Sequence, residues 1–278
     1  MRKIGIMQGR LSSPVDGKIQ SFPKSTWMEE FFKARECGLG YIEWIFENDE
    51  WERNPISLKE GIDQILALKS ETGIPVLSVC ADYFMDVPYL TADSGLRKEL
   101  SEKLVWLVTQ AKKIGARFID IPFVDASKIE SEGHFASVKE FLAPSLSSAE
   151  KNEITLALET SLPPAAFKRL LSFINHPWVN ANYDTGNSSG IGYDCEEELR
   201  SYGRQIMTLH IKDRLLNDGT KPLGTGSANF DAFFRELSKL DFKGPIILQA
   251  AREEEGREKE TAIKNRLFVE RYLTEFHI

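Results

Sequence analysis

Four segments in the second half of the chain decide its fold: ITLALE (Ile154–Glu159), VNANYD (Val179–Asp184), IMTLH (Ile206–His210) and IILQ (Ile246–Gln249). Each segment alternates apolar residues with small or polar ones, which is the period of a β-strand with two different faces. Each segment also ends in a side chain that offers an oxygen or nitrogen atom to a metal ion. Because parallel strands bring their carboxyl ends to the same edge, we expect the four terminal side chains to lie together.

The rest of the chain repeats this alternation of strand-like and helix-like segments. Candidate strands begin near Lys3, Gly40, Ile74, Ala116, Ile154, Val179, Ile206 and Pro245. Eight parallel strands with intervening helices make a closed (β/α)8 TIM barrel, and 278 residues are close to the roughly 250 of such a domain. An open doubly wound sheet usually has a glycine-rich phosphate loop after its first strand. That position holds Gln8-Gly-Arg-Leu and a polar loop to Ser25, so we predict a single barrel domain over residues 1–278.

Several helix boundaries are marked in the sequence. Residues Ser57 to Glu60 have the pattern of a capping box. A long amphipathic helix is expected from Asp93 to Gly115, and Asn229 is expected to cap a later helix. The last helix is predicted over 257–276, with Leu267 among its apolar anchors.

Composition limits the classes of protein. Hydrophobic residues make up 42% of the chain, which is enough for a large core, and no apolar run approaches the ~18 residues of a membrane span. The amino terminus lacks the pattern of a signal peptide, so we expect a cytoplasmic protein without a membrane partner. A net charge of −7 argues against nucleic acid as a partner but not against a small anion. The sequence leaves the oligomeric state open, a homo-oligomer included.

The terminal side chains also suggest a cofactor. Two carboxylates and an imidazole, from Glu159, Asp184 and His210, suit one divalent ion such as Mn²⁺, Mg²⁺, Co²⁺ or Zn²⁺. A single Glu at the end of a strand is more often a surface or ion-pair residue. All three at the same end of consecutive strands favour a metal site.

Seven short motifs carry a resemblance to a known family. They are Gly5-Ile-Met-Gln8, Tyr41-Ile-Glu-Trp44, Leu156-Ala-Leu-Glu159, Tyr183-Asp-Thr-Gly-Asn187, His210-Ile-Lys-Asp213, Pro222-Leu-Gly-Thr-Gly226 with Asn229-Phe230, and Gly244-Pro-Ile-Ile-Leu-Gln249. With them the chain resembles, over nearly its whole length, the xylose-isomerase-like TIM-barrel superfamily of sugar isomerases and epimerases, which includes endonuclease IV. The resemblance implies a metal held by Glu159, Asp184, His210 and residue 249, and a sugar or sugar phosphate as the substrate.

The chain departs from the family at two positions. The family usually has Glu where this chain has Gln249, and in its ketose 3-epimerases that Glu is the second acid/base beside the residue matching Glu159. A glutamine keeps the shape and offers an amide oxygen, but it cannot take a proton at neutral pH. The formal charge of the ligands therefore drops from −3 to −2. Asn187 stands where the family often has His.

These residues predict proton abstraction next to a carbonyl group. Glu159 is the expected base, and a metal bound to the substrate oxygens would stabilise the enediolate. Epimerisation generally needs a second group on the opposite face, whereas aldose–ketose isomerisation can use one base. Gln249 therefore favours a one-base isomerase or a dehydratase, unless Lys212, Asp213 or Glu43 supplies the missing acid.

Two other functions stay open beside the isomerase or epimerase. A dehydratase or lyase of a polyhydroxylated ring uses the same enediolate chemistry. A degenerate barrel that binds a sugar without converting it is consistent with Gln249. A nuclease of the endonuclease IV type is disfavoured, because its multi-metal site needs more histidines than the four of this chain.

The remaining candidates are expected near the catalytic groups. Glu43 either orients the substrate or forms a structural ion pair. Lys212 should face the site, and Asp213 either supports a ligand or pairs with Arg214.

Substrate contacts are expected from Gln8, Asn187, Asp213 and Arg252, the last as a grip for a carboxylate or phosphate. The backbone around Gly224 to Gly226 either binds a phosphate or is a plain loop.

Overall fold

Eight parallel strands close into a barrel in the computed structural model, which describes residues 3–278. Each strand pairs with its neighbour in sequence, and the last strand closes the barrel against the first. The strands are β1 (Gly5–Met7), β2 (Tyr41–Ile45), β3 (Val76–Cys80), β4 (Phe118–Phe123), β5 (Thr155–Thr160), β6 (Val179–Asp184), β7 (Ile206–Ile211) and β8 (Ile246–Leu248). The predicted (β/α)8 barrel is confirmed, and every predicted strand start lies within a few residues of an observed one.

Helices surround the barrel and connect its strands. They are α1 (Trp27–Glu36), α2 (Lys59–Thr72), α3 (Tyr83–Asp86), α4 (Ser94–Ile114), α5 (Phe135–Asn152), α6 (Pro164–Ile174), α7 (Thr185–Ile191), α8 (Cys195–Tyr202), α9 (Phe230–Leu237) and α10 (Glu258–Glu275). A small antiparallel hairpin, Asp213–Arg214 with Thr220–Lys221, follows β7. Among these helices of residues 3–278, none has the length and apolar character to cross a bilayer.

Most of the predicted helix boundaries are confirmed. The Asp93 carboxylate accepts a hydrogen bond from the Leu96 N–H at the start of α4, and the helix ends at Gly115 with φ of 86°. Asn229 caps α9 by accepting from the Ala232 N–H. These side chains satisfy backbone donors that the first turn of a helix leaves unpaired.

Two details of the helix predictions are wrong. The capping box does not form, because Ser57 belongs to a preceding 3-10 turn (Pro55–Ser57) and its hydroxyl donates to the Trp51 carbonyl instead. The helix starts after it, at Lys59. Leu267 is 53% exposed, so α10 packs through Val269 and Leu273 rather than through this residue.

The two faces of the strands differ in chemistry, as the alternation predicts. Outward side chains are apolar and pack on the helices; for example, the Tyr183 ring stacks on Phe233 of α9 with ring centroids 5.2 Å apart. The inward side chains include a set of fully buried polar residues: Glu43, Ser78, Asp120, Asn182, Thr208 and His210. Since burying charge without a partner is costly, these groups must pair with one another inside the barrel.

The long connection between β1 and α1, residues 8–26, is called the β1 loop here. Two buried carboxylates hold it. Glu30 accepts hydrogen bonds from the N–H groups of Gly9 (3.1 Å) and Leu11 (3.2 Å) and from the Ser12 hydroxyl (2.9 Å). Glu47 accepts from the Ser21 hydroxyl and the Phe22 N–H. The loop is therefore ordered by side chains from α1 and from the segment after β2.

Two arginines attach the β1 loop to the segment that follows β8. Arg10 donates to the carbonyls of Ala250 (3.0 Å) and Ile19 (2.7 Å). Arg252 donates to the carbonyls of Ile19 (3.0 Å) and Ser12 (2.7 Å). Arg252 thus holds the loop in place through two of its nitrogens, and its contact with a substrate anion stays a prediction.

The Gly224–Gly226 segment is a plain loop. The buried Asp213 carboxylate accepts hydrogen bonds from the N–H groups of Gly224 (2.9 Å), Gly226 (2.8 Å) and Ala228 (3.0 Å). A side chain at Gly226 would overlap this carboxylate, since a Cβ atom there would lie 2.2 Å from it. The donors that could have bound a phosphate are therefore used within the protein.

The carboxyl group of Glu30 predicts a pH-dependent stability. Burial raises the pKa of Glu30 to about 7 from an ordinary 4.5. Between pH 4.5 and 7 the folded chain therefore binds more protons than the unfolded chain. Glu30 stabilises the fold fully below this range, and the stabilisation is lost as the pH rises through 7. Relative to wild type, Glu30→Gln should gain up to about 3 kcal/mol between pH 5 and 8.

The check is urea unfolding at several pH values. Glu29→Gln, an exposed change on the same helix, is the matched control and should follow wild type. Parallel curves for wild type and Glu30→Gln would contradict the prediction.

Removing the Asp213 carboxylate should release the loop that it holds. Asp213→Ala leaves three N–H groups without their charged acceptor, so we expect a loss of about 3 kcal/mol in the free energy of unfolding. Amide hydrogen exchange should accelerate more at Gly224, Gly226 and Ala228 than at other residues. Asp241→Ala, at an exposed position, is the control, and uniform exchange in both variants would refute this role.

Candidate active site

The predicted ligands lie on three consecutive strands at the carboxyl end of the barrel. Glu159 is on β5, Asp184 ends β6 and His210 is on β7, where it pairs in register with Asp184. All three side chains are buried. The period of two in these strands and their parallel pairing bring Glu159 within 3.3 Å of His210, as the sequence predicts. Asp184 lies beside His210 in the strand register but outside the group of potential ligand atoms that lie within 4.8 Å of one another.

His210 lies between two carboxylates. Its Nε2 is 2.9 Å from Glu43 Oε2, and its Nδ1 is 3.3 Å from Glu159 Oε2. The contact with Glu43 is close but not aligned for a hydrogen bond, so we describe it as an ion pair. The Ser78 hydroxyl donates to the other Glu43 oxygen at 2.8 Å. Glu43 therefore forms the structural ion pair that was one of its two predicted roles.

These contacts set the protonation states. Burial lowers the pKa of His210, but the carboxylates of Glu43 and Glu159 outweigh burial and raise that pKa well above its usual value. Burial raises the pKa of Glu159, but the hydrogen bond and the charge of His210 outweigh it, so the net shift is downward. Both shifts favour a positive charge on His210 beside a negative charge on Glu159.

Asp120 is a site residue that the sequence reasoning missed. Oxygen atoms of Asp120 and Glu159 and a nitrogen atom of His210 all lie within 4.8 Å of one another. Burial, followed by the negative charge of Glu159, raises the pKa of Asp120 well above its usual value, which favours the protonated carboxyl group. Its signal in the sequence is a single Asp in the apolar strand FIDIPF.

Asp184 has two separate tasks. Its Oδ1 caps α7 by accepting from the N–H groups of Gly186 (2.8 Å) and Asn187 (2.9 Å). Its Oδ2 is 3.5 Å from the Lys212 ammonium group. Burial raises the pKa of Asp184, and the charge of Lys212 opposes this shift. Lys212 thus faces the site, as predicted from the strand alternation.

The Glu159 carboxylate is held from both sides by amides. The side-chain amide of Asn182 donates to Oε2 at 2.8 Å, and that of Asn187 donates to Oε1. Asn182 was missed, although it stands on the inward face of β6 two residues before Asp184. These donors fix the direction of the carboxylate.

Gln249 is connected across the mouth of the barrel. Its Nε2 donates to Gln20 Oε1 of the β1 loop at 2.9 Å, and Gln20 Nε2 donates to Asp82 after β3 at 2.7 Å. Neither Gln20 nor Asp82 was predicted. Gln8 accepts from the Ile45 N–H through its Oε1 at 3.0 Å. Asp213 is not brought to the site, because its oxygens hold the Gly224–Gly226 segment.

The chemistry of the interior fits a cation. Within residues 3–278, five buried side-chain nitrogen or oxygen atoms make no hydrogen bond: Gln8 Nε2, Glu43 Oε2, Asp120 Oδ1, Asp184 Oδ2 and His210 Nε2. All five belong to the inside or the mouth of the barrel. Three of them have ionic neighbours, since Glu43 Oε2 faces His210 Nε2 and Asp184 Oδ2 faces Lys212. Gln8 Nε2 and Asp120 Oδ1 make neither a hydrogen bond nor an ion pair within residues 3–278, which is rare for buried polar atoms. The carboxylates and the imidazole around them are a donor set that divalent ions prefer. The residues present are therefore compatible with a divalent metal.

Known proteins resemble this chain in sequence or in fold. L-ribulose-5-phosphate 3-epimerase UlaE from Shigella boydii is 26% identical over 243 residues, which are 80% of this chain and 81% of that protein. An L-ribulose 3-epimerase structure superposes with a TM-score of 0.77 at 16% identity, covering 100% of this chain and 96% of the other. The IOLI protein, whose crystal structure contains a zinc atom, gives a TM-score of 0.77 at 16% identity over 99% of both chains.

A family model with the description "Xylose isomerase-like TIM barrel" matches residues 31–270. This range includes seven of the eight barrel strands and, of the candidate site residues, all but those of β1 and its loop. The chain therefore belongs to the xylose isomerase-like TIM barrel family.

Proposed function

We propose that the protein is a divalent-metal-dependent isomerase or epimerase of a sugar or sugar phosphate. The observation that carries the proposal is the Glu159 carboxylate, kept ionised and held by two amides beside buried polar atoms that make no hydrogen bond. A fixed, ionised carboxylate next to an electrophile is what proton abstraction from a carbon atom requires. The names of the curated relatives, which are sugar-phosphate epimerases, support the substrate class.

Glu159, Asp184, His210 and Gln249 would hold the metal, with Asp120 also within reach of Glu159 and His210. When bound, the ion supplies a Lewis acid that polarises the substrate carbonyl and stabilises negative charge on its oxygen. Mn²⁺, Mg²⁺, Co²⁺ and Zn²⁺ all suit this donor set. His210 has to release a ring proton before one of its nitrogens can act as a ligand.

Glu159 takes the proton from the carbon next to the carbonyl group. Asn182 and Asn187 hold its two oxygens, so the base does not have to be reoriented when the substrate binds. Lys212 places a positive charge at the same mouth, near the oxygens of a developing enediolate. Gln249 cannot exchange a proton at neutral pH, so in a one-base isomerisation Glu159 delivers the proton to the neighbouring carbon on the same face. Epimerisation would need Lys212 or another acid on the opposite face.

Gln249 also favours a second function. A dehydratase or lyase of a polyhydroxylated ring forms the same enediolate and then loses a hydroxyl group instead of being reprotonated at a second carbon. This reaction needs one base and an acid for the leaving group. Lys212, 3.4 Å from Gln249, is in place to be that acid.

Removing the charge of Asp184 should weaken metal binding. Asp184→Asn keeps an oxygen to cap α7 but removes the negative charge, so we expect at least a tenfold weaker affinity for Mn²⁺. Calorimetric titration of metal-depleted protein measures the affinity and should give one ion per chain in wild type. Asp231→Ala, on the exposed side of α9, is the control. An unchanged affinity in Asp184→Asn would remove Asp184 from the ligands.

Catalysis should depend on Glu159 and not on an acid at residue 249. Glu159→Gln keeps the shape but removes the base, so exchange of solvent deuterium into the substrate carbon should fall about 10³-fold. Gln249→Glu should leave 3-epimerisation no faster, because a one-base reaction does not need the new carboxylate. NMR with a panel of ketoses and ketose phosphates follows both reactions.

Two outcomes would count against this mechanism. A large gain of 3-epimerisation in Gln249→Glu would identify a weakened two-base epimerase. An absence of exchange with every sugar in the metal-loaded wild type would favour a barrel that binds a sugar without converting it.

A further inference from the structure

Lys212 lies where its ammonium group touches oxygen atoms that a metal would use. Its Nζ is 3.5 Å from Asp184 Oδ2, 3.4 Å from Gln249 Oε1 and 3.3 Å from Asn187 Oδ1. The first two atoms belong to the proposed ligands. We propose that Lys212 is a tethered cation that competes with the divalent ion for Asp184 and Gln249, so that metal binding displaces its ammonium group toward the substrate. This inference rests on the proposed metal site.

The position of the ammonium group is built into the fold. The backbone N–H of Lys212 donates to the Thr185 hydroxyl oxygen at 3.0 Å, and that hydroxyl donates to the Lys212 carbonyl at 2.6 Å. The aliphatic stem crosses Gly186, where a Cβ atom would lie 2.5 Å from the Lys212 Cγ. The side chain is only 15% exposed. The packed aliphatic part of Lys212, between α7 and β7, therefore holds the ammonium group against the oxygens of Asp184 and Gln249.

The orientation of Gln249 suits an internal cation. Its Nε2 is occupied by Gln20 Oε1, and Gln20 is held in turn by Asp82. The Gln249 oxygen consequently faces Lys212, and the amide cannot turn over without breaking this chain of bonds. A glutamate at this position would place a carboxylate oxygen against Gln20 Oε1, which is also an acceptor. The β1 loop thus selects a neutral residue with its oxygen toward the cation.

The charges explain why the two cations exclude each other. Asp184 contributes one negative charge and Gln249 none, so one ammonium group already balances this side of the site. A divalent ion at the same oxygens would meet the ammonium at contact distance, where like charges repel strongly in a buried site. The metal must displace Lys212, and the work of this displacement lowers the metal affinity. The freed ammonium stays on its packed stem at the mouth, where the proposed function places the substrate oxygens.

The test compares Mn²⁺ affinities of metal-depleted proteins by calorimetric titration. Lys212→Gln and Lys212→Met both remove the charge; the second offers only a soft thioether sulfur, which is a poor ligand for Mn²⁺. Both should bind Mn²⁺ at least tenfold more tightly than wild type. The matched control is Arg214→Gln, which removes a positive charge that contacts Asn187 but neither Asp184 nor Gln249. Its affinity should stay within threefold of wild type. Melting temperatures confirm that each variant is folded.

Each outcome decides the inference. If wild type binds one ion and the Lys212 variants bind no more tightly, the competition is refuted while the proposed function stands. If Arg214→Gln gains as much Mn²⁺ affinity as Lys212→Gln, the gain comes from the overall charge of the protein and not from the contacts of Lys212. The inference is then wrong. If no variant binds Mn²⁺, both the metal site and the competition fail. A wild type that does not bind beside a Lys212→Met that does would show that the ammonium group takes the place of the metal.

Discussion

The ion pairs of His210 with Glu43 and Glu159 are the interaction on which the interior of the barrel depends. His210 and Glu43 are fully buried and Glu159 nearly so, and an isolated charge in this position would cost several kcal/mol. The positive charge of His210 faces both carboxylates, Ser78 donates to the second oxygen of Glu43, and Asn187 donates to the second oxygen of Glu159. Burial, followed by the negative charge of Glu159, raises the pKa of Asp120 well above its usual value. Losing one member would leave another charge buried and unpaired.

The rest of the site is arranged above this charged core. Asp184 joins the core to α7, and Lys212 lies across Gly186 toward Asp184 and Gln249. The β1 loop closes the remaining side through Gln20 and is held by Glu30 and Arg252. These contacts link Gln249, at a position where the family resemblance implies Glu, to its neighbours. A neutral amide can donate a hydrogen bond to Gln20 and accept one from the Lys212 ammonium group. A carboxylate can only accept, so it suits Lys212 but not Gln20.

Local patterns explain why the fold was predictable. A period of two places polar groups on one face of a strand, and single residues such as Asp93 or Asn229 cap the helices that follow. The wrong predictions also have physical causes, which lie outside the element concerned. Ser57 lies in a 3-10 turn whose geometry Pro55 favours, and Leu267 lies on a face of α10 that leaves it 53% exposed. The Gly224–Gly226 segment contains the right donors for a phosphate, but Asp213 uses them first.

The sequence by itself determined the barrel, the strand ends that carry Glu159, Asp184 and His210, and the family. These features depend on spacing along one strand or one helix, which a linear pattern contains. Only the tertiary structure decided that His210 lies between Glu43 and Glu159, that Asp120 joins them, and that Gln20 reaches Gln249 across the mouth. Those contacts join residues far apart in the chain, and barrel closure rather than local preference sets their distances. Closure of the barrel also sets the position of the Lys212 ammonium group.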